Sequence, residues 1–260
     1  MRQNEHKARA VWSASVTQQG AENTAVANVT PTGGYLTANL VTAAGEIDLS
    51  QQLLDRAGPE SFDQLIHAQL MTQLYTDIDA YCIAQAIAGG GTVTSTGATL
   101  IPGLWGDVAK AGANMLTAPG QLRDPTHLFM TPTWHQYATA QVDLQNRPLM
   151  TPVPAGADLP ITSPDGATPV GYTGERILTT AVFRDGNIPA AGANTQMLVA
   201  HMPEVFTLVS EPALDVFPET LAGSLSVVAR LYAFVGVIVR HTAAVQTVTG
   251  TLYPAAPTFA

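Results

Sequence analysis

The chain has 260 residues, 46% of them hydrophobic and only 12% charged, with a formal net charge of −9. That much apolar material builds one large domain or two modest lobes around a true core, which excludes disorder as the main state. The charged fraction is about half that of an ordinary domain, so much of the surface is expected to meet other protein, and the acidic balance excludes a nucleic-acid footprint over the whole surface.

The few cations are unevenly placed. Arg2, Lys7 and Arg9 fall in the first ten positions, where Glu5 is the only acid, so a small basic arm precedes an acidic body. Cys82 is the only cysteine, which excludes an intrachain disulfide or a thiolate metal cluster and fits folding in a reducing cytoplasm. No basic-then-apolar leader opens the sequence, and the apolar run from Leu231 to Val239 is far below the roughly 20 residues of a membrane-spanning helix. Neither secretion nor membrane insertion is expected, and the sequon Asn28-Val29-Thr30 is read as chance.

From Met1 to about Ala44 the residues are mostly Ala, Thr, Asn, Gln and Gly, too poor in large side chains for an independent core. An extended arm and a hairpin are expected there. The turn is placed at Thr32-Gly33-Gly34, between strands Ala25 to Val29 and Tyr35 to Val41. Glu46 to Leu53 alternates apolar and polar, as a half-buried strand does. Pro59, Glu60 and Asp63 open a helix, and apolar residues at Phe62, Ile66, Leu70, Leu74, Ile78 and Cys82 carry it to about Ala88, before the stop Gly89-Gly90-Gly91. At about 1.5 Å per residue this helix would be roughly 45 Å long.

Further on, the pattern predicts a helix over Trp105 to Leu116, a short strand over His127 to Met130, and a helix opened by Thr131-Pro132-Thr133-Trp134 and running to about Val142. Strand-like runs follow at Arg176 to Phe183, Gln196 to Ala200, Val205 to Ser210 and Leu225 to Arg240. There is no internal repeat.

No catalytic constellation emerges. The six histidines, His6, His67, His127, His135, His201 and His241, lack metal-binding spacing, and no Gly-x-Ser-x-Gly elbow or phosphate-binding glycine loop is present. Asp77 and Asp79 lie two apart on a helix and point in different directions. No catalytic residue, cofactor or metal is therefore assigned.

The order of features resembles one known family. A basic arm, a hairpin, Ser50-Gln51-Gln52-Leu53-Leu54-Asp55, Phe62-Asp63, a very long helix and its glycine stop come first. Pro102-Gly103-Leu104, Phe129-Met130-Thr131-Pro132-Thr133-Trp134-His135, Arg147-Pro148-Leu149 and Asp185-Gly186-Asn187-Ile188-Pro189 follow. Over roughly residues 1 to 250 this succession is similar to the major capsid proteins of tailed bacteriophages, of the Hong Kong 97 (Johnson) type. The resemblance implies an α+β fold with an arm at 1–25, a projecting hairpin (E-loop) at 26–46, a peripheral domain at 47–101 and 202–260 whose spine helix spans about 60–88, and an axial domain at 102–201.

It also implies a subunit without enzymatic activity, assembling in the host cytoplasm into pentamers and hexamers of an icosahedral virion shell. Double-stranded DNA would lie on the inner surface, and a portal and scaffold or cement (decoration) proteins would be partners. Arg2, Lys7, Arg9, Gly33, Gly34, Tyr35 and Leu36 are the residues expected to serve assembly. Some members of this family link a hairpin lysine to a neighbour's asparagine. Because no lysine lies between Lys7 and Lys110, a non-covalent shell is expected here. The alternatives are an encapsulin-type nanocompartment, which would hold enzymes in place of a genome, and a soluble hydrolase with a site assembled from distant segments.

Overall fold

The structure, a computed structural model, describes residues 6–13, 32–50, 52, 59–95, 101–117, 123–139, 172–178, 180–190, 196–221 and 226–249. Its longest element is α1 (Pro59–Gly89), 31 residues and hence roughly 46 Å. Apolar residues four apart drift by about 40° per step around a 3.6-residue helix, so the predicted stripe cannot stay on one face throughout. The helix therefore serves two partners in succession. Leu74 and Ile78 pack with Leu231, Ala233 and Val235 of β11 (Ser226–Val239). About two turns later Ala86 packs instead with Leu198 and Ala200 of β8 (Gln196–Ala200) and with Val245 of β12 (Val245–Thr249). Leu70 and Cys82, expected on the stripe, are only half-buried.

These partners belong to different sheets. In the first, β11 is the central strand, bonded antiparallel along one side to β3 (Val41–Ser50). Along its other side lie β9 (Val205–Val209) and β10 (Ala213–Leu221). In effect β9 and β10 are one edge strand broken at Ser210, whose hydroxyl accepts a hydrogen bond from the Phe234 amide at 2.9 Å while its own amide donates to the Phe234 carbonyl at 2.9 Å. Ile47 and Leu49 face inward and their neighbours outward, which is the alternation expected of this strand.

The second sheet has six strands in the order β4-β12-β8-β5-β7-β6. These include β4 (Gly91–Thr94), β5 (His127–Met130), β6 (Tyr172–Ile177) and β7 (Thr180–Arg184). Every residue of β8 is buried, because both faces are covered. Met197 and Val199 face helices α2 (Ile101–Thr117) and α3 (Pro132–Thr139), among Leu104, Val108, Met115 and Trp134. Leu198 and Ala200 face α1. The start of α3 forms as its sequence predicts, with the Trp134 amide donating to the Thr131 hydroxyl at 3.4 Å. It ends at Thr139; positions 140–142, to which it was expected to run, lie outside the described residues.

The two sheets meet where the chain crosses between them. Glu204, in the short 3-10 turn Met202–Glu204 before β9, accepts from Arg123 at 3.1 Å and lies 3.7 Å from Arg240 and 3.8 Å from His241, both just past β11. The glycines after α1 run through the same place. A Cβ on Gly89 would stand 2.9 Å from a methyl of Val239, and one on Gly90 would stand 2.8 Å from the Val245 carbonyl oxygen. These glycines thus do more than stop a helix, since they let the chain turn within backbone distance of β12 and enter β4 parallel to it.

Two expectations near the amino terminus are corrected. Gly33 and Gly34 are not in a turn; they lie inside β2 (Thr32–Ala38), whose partner is β1 (His6–Ser13), well upstream of the strand predicted at Ala25 to Val29. Positions 25–29 lie outside the described residues. Strands also form over Gly91–Thr94 and Ala213–Leu221, which the local pattern did not single out, because each finds a long-range partner. Among the described residues no helix is long and apolar enough to cross a membrane, and no group of three or more His, Cys, Asp or Glu could hold a metal ion.

Replacing Leu74 by Asp would bury a charge without a partner and cost roughly 3 to 5 kcal/mol, whereas Gln69→Asp, on the exposed side of α1, should cost well under 1 kcal/mol in urea unfolding. Gly90→Ala should cost about 2 kcal/mol in the same measurement, because the obstacle is backbone and cannot step aside.

Candidate assembly interface

A surface that binds further copies of a chain needs exposed apolar area, unpaired backbone edges, or segments that cannot order alone. All three are present. The ribbon β1–β2 is a separate two-stranded sheet, roughly 23 Å long at about 3.3 Å per residue. Among the described residues no third strand joins it, and two strands alone are marginal in water, so this ribbon needs an additional surface.

Its register sets His6 opposite Ala38, Lys7 opposite Thr37, Ala8 opposite Leu36 and Arg9 opposite Tyr35, with an irregularity before Trp12 stands opposite Gly33. The sequence-selected residues Lys7, Arg9, Gly33, Gly34, Tyr35 and Leu36 are thereby brought onto one element, while Arg2 lies outside the described residues. Among the described residues the strand paired with β2 is β1, which was expected as the arm and carries Lys7, so a missing amine on the ribbon no longer supports a non-covalent shell.

The ribbon is anchored at one point. Ala38 is buried and Leu40 half-buried at its root, where the chain passes over Gly236 of β11. A Cβ there would stand 2.9 Å from the Leu40 side chain and 3.6 Å from the Asn39 carbonyl oxygen. Since neighbours in a strand alternate faces and Val235 meets α1, Gly236 lies on the opposite face of the sheet.

That opposite face carries a row of large side chains. Arg230 stacks over Phe217 at 4.8 Å and reaches Asp215 at 3.7 Å, and Tyr232 meets Phe234 edge-on at 6.0 Å. Phe234 and Phe206 are exposed. On the α1 face, Leu214 and Val216 of β10 lie beyond the helix and are 44% and 55% exposed, which is unusual for aliphatic side chains in a strand. Sequence reading missed Gly236, the aromatic row and β10. The signal for the row was present as aromatic residues two apart at Tyr232 and Phe234, but the partner strand that makes it a surface was not legible.

Other polar side chains hold the body together and present no site. His135 is bonded to Glu175 at 2.6 Å, linking α3 to β6. Asp107, 2% exposed, accepts from the Ser95 hydroxyl, joining α2 to the end of β4. His127 packs with the mutually touching rings of Phe129 and Phe183, where burial first, and the charge of His201 second, push its pKa down. None of these groups lines a cleft with a nucleophile beside it.

Against known proteins, no family model matches the chain and no curated relative does, yet solved structures match over nearly its whole length. The capsid of an empty GTA particle aligns with a TM-score of 0.67 at 14% identity, over 95% of this chain and 85% of that one. A structure from Mycobacterium phage Bobi gives 0.65 at 15% identity, over 97% and 87%. The mature capsid of bacteriophage PhiM1 gives 0.65 at 12% identity, over 96% and 83%. The chain has the α+β fold of these capsid structures.

Gly236→Leu should push the ribbon root off β11 while leaving the two sheets folded. Limited trypsin digestion would then cut after Lys7 and Arg9 several-fold faster than in the parent chain, and Gly236→Ala, which only the flexible end of Leu40 obstructs, should stay close to the parent.

Proposed function

We propose that this chain is a capsid subunit of a tailed bacteriophage, whose copies build an icosahedral shell of pentamers and hexamers around double-stranded DNA. The observation that carries the reading is the match of fold to capsid structures over 95% or more of the chain. The physical features agree with it. A charged fraction of 12% suits a chain whose surface is largely covered by copies of itself, and a coreless ribbon suits a segment that orders on a neighbour.

In this reading the ribbon β1–β2 is the E-loop and lies across an adjacent subunit. Helix α1 is the spine of the peripheral domain, and the segment 102–201 surrounds the axis of each ring. The basic residues Arg2, Lys7 and Arg9 meet the acidic body of a neighbour, which is favourable for a chain of net charge −9. Portal, scaffold and cement proteins would complete the particle, which assembles in the host cytoplasm and ends as the virion.

Electron microscopy of the purified chain should show closed shells, and a compact monomer as the sole species would sink the proposal. Deleting Arg2 to Ala25 removes β1 and strands β2 without a partner, but leaves both sheets and α1 intact. The truncated chain should keep its cooperative unfolding transition and form no shells, since segments with few buried contacts contribute little to the stability of the body.

A further inference from the structure

Helix α1 touches the six-stranded sheet at a second point besides its glycine end. Asn187, in the loop after β7, donates from its side-chain amide to the Asp79 carboxylate on α1 at 2.8 Å, and its backbone amide donates to the Asp185 carboxylate at 2.8 Å. Asp185 is itself fixed, because its amide donates to the Met130 carbonyl at the end of β5 at 2.9 Å. One asparagine thus bonds two carboxyl groups from different elements, Asp79 on α1 and Asp185 after β7. Two carboxylates brought to one residue in this way repel each other unless one keeps a proton. Both line an apolar cavity of about 380 Å³ between α1, β8 and β9, where Asp185 is half-buried and Asp79 exposed.

We propose that Asp79 and Asp185 form a proton-dependent latch between α1 and the six-stranded sheet, closed while one proton is held between the two carboxyls and loosened when that proton passes to solvent. Among the described residues no cation forms an ion pair with either group, and Arg184, the neighbour of Asp185, is exposed. From α1 the remaining titratable groups at the cavity are Tyr75 and Cys82. Burial first, and the charge of Asp79 second, push the Cys82 thiol up, so it stays neutral while Asp185 titrates. The surfaces offered by β5, β8 and β9, such as Phe129, Leu198 and Thr207, carry no charge.

Burial is also the main cause that pushes Asp185 up. The Asn187 amide opposes it, and the charge and hydrogen bond of Asp79 add to it. An acid whose folded value is raised holds a proton that the unfolded chain has already lost. Its favourable contribution is therefore full below the unfolded value and is lost as pH rises through the folded one. His127 and His241, both pushed down by burial first, have the opposite sign and weaken the fold on acidification. A global melting curve mixes the two effects, so the latch has to be read locally.

Hydrogen exchange of the full chain, corrected for intrinsic rates, reports amide protection in α1 around Asp79 and in the loop 185–188 at about pH 5 and about pH 7.5. In the parent chain, protection at both places should fall several-fold towards the higher pH, by about tenfold for each unit by which Asp185 is raised. Asp185→Asn and Asp79→Asn, which keep the hydrogen-bonding shape and remove the repulsion, should each hold protection near its acid level at both pH values. A parent chain with no pH dependence at these amides, or variants that keep all of it, would overturn the latch. Carbon-13 titration of the aspartate carboxyls in the parent chain needs no variant to fold. One carboxyl should titrate above the ordinary aspartate range, and none doing so is equally decisive against the proposal.

Discussion

The close approach of the chain at Gly89, Gly90 and Gly91 to Val239, Val245 and Gln246 is the constraint on which the two-sheet architecture rests. Strand β11 ends at Val239 and β12 begins at Val245, so these contacts mark the place where the chain leaves one sheet and enters the other. Any Cβ there would force α1 away from the crossing, and β4 would lose its parallel partner. Glu204, drawing in Arg123, Arg240 and His241, neutralises charge at the same crossing, and the Arg240 amide donates to its carbonyl at 2.9 Å. Steric permission comes from the glycines and electrostatic cohesion from the glutamate; neither alone would bring four separate segments together.

With the body closed this way, what is left outside is informative. Among the described residues the ribbon β1–β2 pairs with no third strand, and its root passes closely over Gly236 of β11, so its free energy of ordering has to come mostly from elsewhere. The aromatic row on the same face and the aliphatic pair Leu214 and Val216 beyond α1 are likewise surfaces without cover in a single chain. An isolated subunit of this kind would be a folded body carrying unsatisfied parts, which is what a self-assembling shell protein requires: stability enough to fold first, and apolar area enough to associate afterwards.

The elements legible in the sequence were those specified by their own residues. The long helix came from a capped start, a glycine stop and regular apolar spacing, and β8 from five residues that any packing would bury. What could not be read is long-range. The partner of β2 lies upstream across positions 14–31, and no local rule selects it over the nearer segment at Ala25 to Val29. The glycines of β2 gave a turn signal that pairing overrode, and that displacement moved Lys7 from a presumed arm onto the ribbon. At the latch the helix geometry was read correctly, since Asp77 and Asp79 do diverge, but the carboxylate that Asp79 meets comes from more than a hundred residues away.

The drift of the apolar stripe along α1 has a mechanical consequence that ties these parts together. A helix whose first half belongs to one sheet and whose second half belongs to the other cannot rotate without disturbing both cores. Asp79 directly follows Ile78, within the stretch of α1 that packs on β11 through Cys82 and before Ala86 meets the other sheet. In the proposed latch, repulsion there would act on the exposed side of a packed stretch, and the cavity beside it offers the side chains room to yield. The same repulsion at Gly90 would work against backbone contacts on every side and change little. A weak electrostatic term in the proposed latch would therefore loosen only the contact of α1 with the loop after β7, while the large apolar contacts on both sides of it keep the chain folded throughout.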